Sequence, residues 1–231
     1  MDLITLVERI GESPTAALFG VLTGVVFGAS AQRSRFCLRA ATVEFARCKM
    51  QDSVAVWLLT FSTALVWVQA AQSLGLMDSS SARMMAVPGS WSGAIIGGLI
   101  FGVGMVLARG CSGRLLVLAA TGNLRSVVSG LIFAVVAQMS LSGSLSPFRN
   151  QLASIWITTN GRNMDLLAAT GLPDHSGLII GAGIAILALI LARRTRIGAA
   201  RLVFASGVGF AVALGWVLTY ALSLIAFDPV Q

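Results

Sequence analysis

Six long apolar segments dominate the chain and limit the folds open to it. They cover residues 16–31, 54–74, 91–108, 124–141, 177–192 and 202–227. A helix needs about 20 apolar residues to cross the hydrocarbon core of a bilayer. Only 11% of the residues are charged, too few to cover a water-facing surface. We therefore expect an all-α integral membrane protein with about six transmembrane helices. The first and fifth segments are short and need flanking residues or tilt to span.

A short pattern occurs twice in the chain, with an offset of 74 residues. In each copy a glycine-rich apolar helix with a Phe-Gly pair leads into a loop that carries one arginine and, two residues later, one cysteine. The matched residues are Gly28, Arg35 and Cys37 in the first copy and Gly102, Arg109 and Cys111 in the second. Duplicated membrane units with broken helices build transport sites at the bilayer midplane. This pattern predicts a 74-residue internal repeat.

The repeat suggests how the chain is organised. We expect a single polytopic membrane domain over residues 1–231, with repeat units at about 16–76 and 90–150 and additional helices in 151–231. The segments 36–47 and 115–120 follow the two cysteines and are too short to span, so they are predicted to be re-entrant or half helices. A short interfacial helix is expected around residues 152–156. Glycines at 20, 24 and 28 lie on one helix face and predict a close helix contact.

The two cysteine loops combine groups that suit a small anion. An arginine in a membrane loop is costly unless it faces an aqueous cavity or pairs with another group. The short helices that follow offer free N–H groups at their N-termini, and a thiol in such surroundings becomes more nucleophilic. We predict substrate contacts from Cys37, Cys111, Arg35, Arg109, Gly110, Gly28 and Gly102. Cys48 lies outside the matched positions and is expected to be a small apolar residue.

Charge and motif content argue against several other functions. The net charge of +7 does not indicate nucleic-acid binding, because the chain has no lysine-rich tract and its arginines lie at the ends of apolar segments. Residues 33–49 and 193–201 carry nine of the sixteen basic residues and are predicted to face the cytoplasm, with the N-terminus outside. Three cysteines and the lone His175 form no metal pattern, so we expect no metal or cofactor. A phosphate-binding Gly-x-x-x-x-Gly-Lys motif is absent, which argues against direct ATP use.

Three stretches carry a family resemblance: residues 27–28 with 32–39 (Phe-Gly and Gln-Arg-Ser-Arg-Phe-Cys-Leu-Arg), residues 101–111 (Phe-Gly-Val-Gly-Met-Val-Leu-Ala-Arg-Gly-Cys) and residues 122–126 (Gly-Asn-Leu-Arg-Ser). In these the chain resembles the YeeE/YedE family of bacterial sulfur-transport membrane proteins. The resemblance implies uptake of thiosulfate or a related sulfur compound across the inner membrane, with Cys37 and Cys111 contacting the substrate sulfur along a narrow path. Members of the family usually continue further and carry another Gly-Cys motif. We therefore expect a fragment, or a shortened member that lacks the usual C-terminal part.

The leading interpretation is a multi-pass transporter of the bacterial inner membrane, not an enzyme, that moves a small sulfur-containing anion. The expected partners are that anion, the lipid bilayer, and a cytoplasmic sulfur-carrier protein or a second membrane chain. One alternative is a membrane enzyme that transfers persulfide or disulfide equivalents, although its usual adjacent cysteine pair is missing. Another is a structural subunit of a larger membrane complex.

Overall fold

The computed structural model describes residues 7, 9–78, 89–158, 171 and 176–225, and these are mostly helical. The helices are α1 (Glu12–Ser34), α2 (Leu38–Ala46), α3 (Asp52–Ser73), α4 (Trp91–Leu107), α5 (Ser112–Ala120), α6 (Leu124–Ser142), α7 (Ser146–Ser154), α8 (Ser176–Arg194) and α9 (Ala199–Ser223). Within the described ranges there is no β-strand, only an isolated bridge between Ser90 and Ile157. The predicted all-α class is confirmed.

Six helices or helix pairs are long and apolar enough to cross a membrane: α1 with α2, α3, α4 with α5, α6, α8 and α9. The protein is therefore a multi-pass membrane protein, as predicted. The first and fifth apolar segments do gain their length from flanking residues, since α1 has 23 residues and α8 has 19. The last helix begins earlier than predicted, at Ala199, and ends at Ser223. The predicted end at residue 227 lies outside the described residues.

The three short helices differ in how well their bounds were predicted. Helix α2 lies inside the predicted segment 36–47. Helix α5 has nine residues rather than six, because Ser112, Gly113 and Arg114 already form its first turn. Helix α7 ends at Ser154 rather than covering 152–156, and it begins with a proline in its first turn, where the missing N–H costs nothing.

The chain forms two compact units, of which the first comprises residues 1–36, 50–80 and 170–231. In this unit α9 packs against both α1 and α3, and α8 packs against α3. Its core is formed by Val56, Leu59, Ala188 and Ala205. Thr60 on α3 donates a hydrogen bond of 3.1 Å to the carbonyl of Ala205 on α9. Small residues and one interhelical hydrogen bond thus hold α9 on α3, as is usual for helices in membranes.

Glycines allow the closest helix approach in the first unit, but not at the predicted positions. A Cβ added to Gly209 would lie 2.6 Å from the backbone nitrogen of Ala64 and 2.7 Å from the carbonyl oxygen of Thr60. By contrast, nothing lies within 4 Å of a Cβ added at Gly20, Gly24 or Gly28. Within the described residues, the close helix contact predicted for that face of α1 is therefore not formed.

Polar contacts gather three helix ends at one end of the first unit. Arg201, near the start of α9, binds the carboxylate of Asp52 at the start of α3 at 2.8 Å. Its Nε also donates to the carbonyl of Ser34 at the end of α1, at 3.0 Å. Arg33 lies over the ring of Phe204 at 5.7 Å. The basic segments 33–49 and 193–201 therefore both reach this end of the unit. This supports the prediction that they face the same side of the membrane.

The second unit comprises residues 37–49 and 81–169, so it includes α2 from the first repeat as well as α4 to α7. Helix α2 contacts α4, α5 packs against α6, and α7 contacts both α4 and α6. The hydroxyl of Ser92 donates to the carbonyl of Leu152 at 2.7 Å, and the N–H of Trp91 donates to the carbonyl of Trp156 at 3.0 Å. These bonds fix the start of α4 to the end of α7.

Candidate functional site

The two cysteine loops follow the same backbone course. After α1 the chain turns through Arg35 in a left-handed conformation (φ 55°), and after α4 it turns through Arg109 in the same way (φ 57°). Two residues later, in extended conformation, Cys37 and Cys111 are the N-cap residues of α2 and α5. Both short helices have nine residues. Each loop therefore breaks one helix and begins another directly after its cysteine.

Backbone hydrogen bonds repeat with the same offset of 74 residues. They tie the arginine to the preceding helix, the cysteine carbonyl to the first turn of the short helix, and the end of that helix to the next turn. Each bond runs from a backbone N–H to a backbone carbonyl. In the first loop the bonds join Arg35 to Gln32, Ala41 to Cys37, Cys48 to Phe45 and Lys49 to Glu44. In the second loop, in the same order, they join Arg109 to Val106, Leu115 to Cys111, Gly122 to Ala119 and Asn123 to Leu118. The predicted 74-residue repeat is thus present in the backbone itself.

The structure brings the two matched cysteines together within the second unit. The side chains of Cys37 and Cys111 lie beside each other, close enough for each thiol to influence the other. The backbone of Cys111 also lies near Sγ of Cys37, and the backbone of Leu38 lies near Sγ of Cys111. Cys37 is half-buried, whereas Cys111 is 3% exposed. We call these two residues the thiol pair.

Each member of the thiol pair lies at a helix N-terminus. The backbone of Arg39 and Ala40, in the first turn of α2, lies near Sγ of Cys37, although no capping hydrogen bond to the thiol is formed. The backbone of Arg114, in the first turn of α5, lies near Sγ of Cys111 in the same way. The N-terminus of a helix carries a partial positive charge and unpaired N–H groups, so it favours anions. Two such ends converge here on two sulfur atoms, an arrangement that can hold a negatively charged sulfur or oxygen atom.

The predicted arginines have a simpler structural role in addition to any contact with substrate. Arg35 and Arg109 are both exposed, and they lie at helix C-termini, where the dipole favours a cation. Arg35 is the C-cap of α1, and Arg109 directly follows Ala108, the C-cap of α4. Arg196 follows α8 in the same left-handed conformation with no cysteine nearby in the sequence. The conformation therefore belongs to helix termination. The case for Arg35 and Arg109 as anion-binding residues rests on their charge and their sequence position beside the cysteines.

The predicted glycines lie in different surroundings. Gly110 is buried between Arg109 and Cys111, and a Cβ at this position would come within 3.4 Å of the Leu115 side chain. Nothing lies within 4 Å of a Cβ added at Gly28 or Gly102, so neither is required for packing among the described residues. In the first unit a groove of about 720 Å³ runs between α1 and α9, lined by apolar and hydroxyl side chains. Such a lining does not favour a small anion.

Two arginines at the thiol pair were not among the predicted site residues. Arg39 and Arg114 lie in the first turns of α2 and α5, and their backbones lie near the sulfur atoms. Both side chains are partly buried. Their positions differ by 75 rather than 74 residues, so a search for residues matched by the repeat misses them. The signal in the sequence is a basic residue two or three positions after a cysteine that begins a short helix.

No group of three or more potential metal ligands occurs in the part of the chain that the structure describes. His175 lies outside that part. The thiol pair does supply the two cysteines that the persulfide-transfer alternative lacked in sequence, although they come from positions far apart in the chain.

Comparison with known proteins shows the family of the chain. A family model described as sulphur transport matches residues 33–227, which is most of the chain and includes both cysteine loops. The chain belongs to this sulphur-transport family. The family is the YeeE/YedE family to which the sequence motifs pointed.

Two curated relatives of the family member are both named thiosulfate transporter TsuA. The one from Spirochaeta thermophila is 29% identical over 127 residues, which are 55% of this chain and 37% of the relative. The one from Escherichia coli K12 is 34% identical over 120 residues, which are 52% of this chain and 30% of the relative. The matched region is thus about a third of the length of these relatives. Both the family and the relatives are transporters, which agrees with the prediction that the chain is not an enzyme.

Proposed function

We propose that this family member transports thiosulfate, or a related small sulfur-containing anion, across the bacterial inner membrane. The observation that carries this proposal is the thiol pair, which joins one cysteine from each repeat at the N-termini of two short helices. The names of the relatives support thiosulfate as the substrate.

The chemistry of the thiol pair fits an anion that ends in sulfur. A thiol is a weak hydrogen-bond donor and sulfur a weak acceptor, so each contact with the substrate sulfur is loose. Backbone N–H groups and the helix dipoles supply the attraction for negative charge. A transport pathway needs binding that is favourable enough for entry and weak enough for release. Several weak contacts at two successive cysteines meet that requirement better than one tight site.

The remaining predicted residues have supporting roles in this proposal. Arg35 and Arg109 attract the anion toward the loops, and Gly110 leaves room beside the second cysteine. Gly28 and Gly102 give the two long helices open faces, which a second membrane chain could cover. The repeat units at about 16–76 and 90–150 each contribute one loop within a single membrane domain, and the helices in 151–231 support them. A cytoplasmic sulfur-carrier protein would receive the substrate.

Uptake of labelled thiosulfate tests the proposal. The chain is expressed in bacteria that lack their own thiosulfate uptake, and variants are compared at equal membrane levels measured by immunoblotting. We expect Cys37→Ala and Cys111→Ala each to abolish uptake, because each removes half of the thiol pair. Cys48→Ala is the matched control, since Cys48 is exposed and lies outside the pair. Full uptake by the double variant of Cys37 and Cys111 would remove the thiol role.

The same assay separates the transporter from a structural subunit. Uptake by cells that express this chain alone supports transport by the chain itself. Uptake that requires a co-expressed second membrane chain would instead make this chain one subunit of the transporter. Absence of uptake in both settings, with the protein present in the membrane, would refute the proposed function.

A further inference from the structure

One hydrogen-bond donor of the Arg39 side chain lacks a partner. Its Nε is buried and has no hydrogen-bond partner among the residues that the structure describes. Buried polar groups in proteins nearly always have a partner, and an unpaired donor on a charged group is especially unfavourable. This donor therefore indicates an acceptor that the described chain does not provide.

Arg39 is well placed to act at the thiol pair. It is the second residue of α2, two positions after the N-cap Cys37, and its backbone lies near the sulfur of that cysteine. Side chains of an α-helix tilt toward its N-terminus. Arg39 is therefore within reach of the helix end at which Cys37 and Cys111 lie.

The charge of Arg39 also needs an anion. A cation in the first turn of a helix lies at the positive end of the dipole, which disfavours it. The first turn of α2 contains no acidic residue that could offset this, and the first turn of α5, with Arg114, contains none either. A negatively charged group bound between the two helix ends would stabilise both arginines at once.

We propose that Arg39 binds the oxygen-bearing end of a sulfur oxyanion whose terminal sulfur contacts the thiol pair. The assignment rests on the proposed function, because it concerns how that substrate is recognised. A guanidinium donates in a planar fork that matches the oxygen atoms of such an anion, which an ammonium group does not.

Concentration-dependent thiosulfate uptake by three variants tests this role. Arg39→Gln removes the charge, Arg39→Lys keeps it without the fork, and Arg47→Gln is the matched control on the exposed C-terminal end of the same helix. We expect Arg39→Gln to raise the apparent KM about tenfold or more, the usual effect of losing one charge-assisted hydrogen bond. Its maximal rate per unit of protein should stay within about twofold of wild type. Arg39→Lys should have an intermediate KM, and Arg47→Gln the wild-type value.

A binding measurement gives a second readout that does not depend on transport. Calorimetric titration of the purified proteins with sodium thiosulfate should show the same order of affinities. An unchanged constant in Arg39→Gln, an equal rise in Arg47→Gln, or a loss of maximal rate alone would overturn the role of Arg39. If Arg39→Gln does not accumulate in the membrane, Arg39→Lys decides, and a wild-type constant for it overturns the proposal. If the wild-type protein neither transports nor binds thiosulfate, the proposed function fails instead.

Discussion

Replacement of Gly209 by alanine tests how α9 is held on α3. An added Cβ would lie 2.6 Å from the backbone nitrogen of Ala64 and 2.7 Å from the carbonyl oxygen of Thr60. Unstrained contacts of a carbon atom lie at about 3.5–4.0 Å. The Thr63 hydroxyl lies closer still and could rotate aside, but the two backbone atoms cannot, so α9 must retreat from α3 by about 1 Å.

The free energy of unfolding should fall accordingly. Overpacking costs about 1–3 kcal/mol. The retreat also breaks the bond from Thr60 to the carbonyl of Ala205, and hydrogen bonds between membrane helices average about 0.6 kcal/mol. Alanine itself adds about 1 kcal/mol of stability, because it is a better helix former than glycine. The net destabilisation of Gly209→Ala is therefore about 0.6–2.6 kcal/mol.

Thermal unfolding of the purified protein in detergent measures this effect. For a chain of this size the loss corresponds to a fall in Tm of roughly 2–10 °C. Gly183→Ala on α8 is the matched control, because nothing lies within 4 Å of a Cβ added there. It should leave the Tm unchanged or raise it. A Gly209→Ala protein that melts at or above the wild-type temperature would show that α9 does not contact α3 as described.

Two further predictions concern topology and the loop arginines. Single-cysteine variants at Ser53 and Thr195 should not react with an impermeant thiol reagent in intact cells. Both positions lie in or next to the basic segments 33–49 and 193–201, which we place in the cytoplasm. Labelling of either position would contradict this orientation. Arg109→Gln should raise the apparent KM for thiosulfate about tenfold, and more than Arg35→Gln does, because other cations crowd the first loop and compensate there. An unchanged constant for Arg109→Gln at normal expression would leave that side chain only a role at the lipid headgroups.

The membrane-spanning helices could be predicted from the sequence, because hydropathy alone identifies the segments that are stable inside a bilayer. The repeat was also visible, since each copy keeps the same spacing between the Phe-Gly pair, arginine and cysteine. The start of α5 was not predicted, because Ser112, Gly113 and Arg114 are typical of a loop by composition and become helical only behind the N-cap Cys111.

Contacts between distant parts of the chain could not be predicted from the sequence. The spacing predicted that the two cysteines have equivalent positions, but equivalence does not require contact. Only the fold shows that Cys37 and Cys111 meet in one unit. For the same reason the sequence favoured Arg35 and Arg109, because these two match in the repeat. It did not favour Arg39 and Arg114, because their distance from the sulfur atoms depends on how the two short helices pack.

The thiol pair joins two loops that match in backbone but differ in their surroundings. One cysteine comes from each of the two matched loops, and both are N-cap residues of nine-residue helices. Two identical loops that face each other across a two-fold axis would give both thiols the same surroundings. Here Phe36 precedes a half-buried cysteine, and Gly110 precedes a buried one. A molecule that reaches the pair therefore meets two different sides, of which one is more accessible than the other.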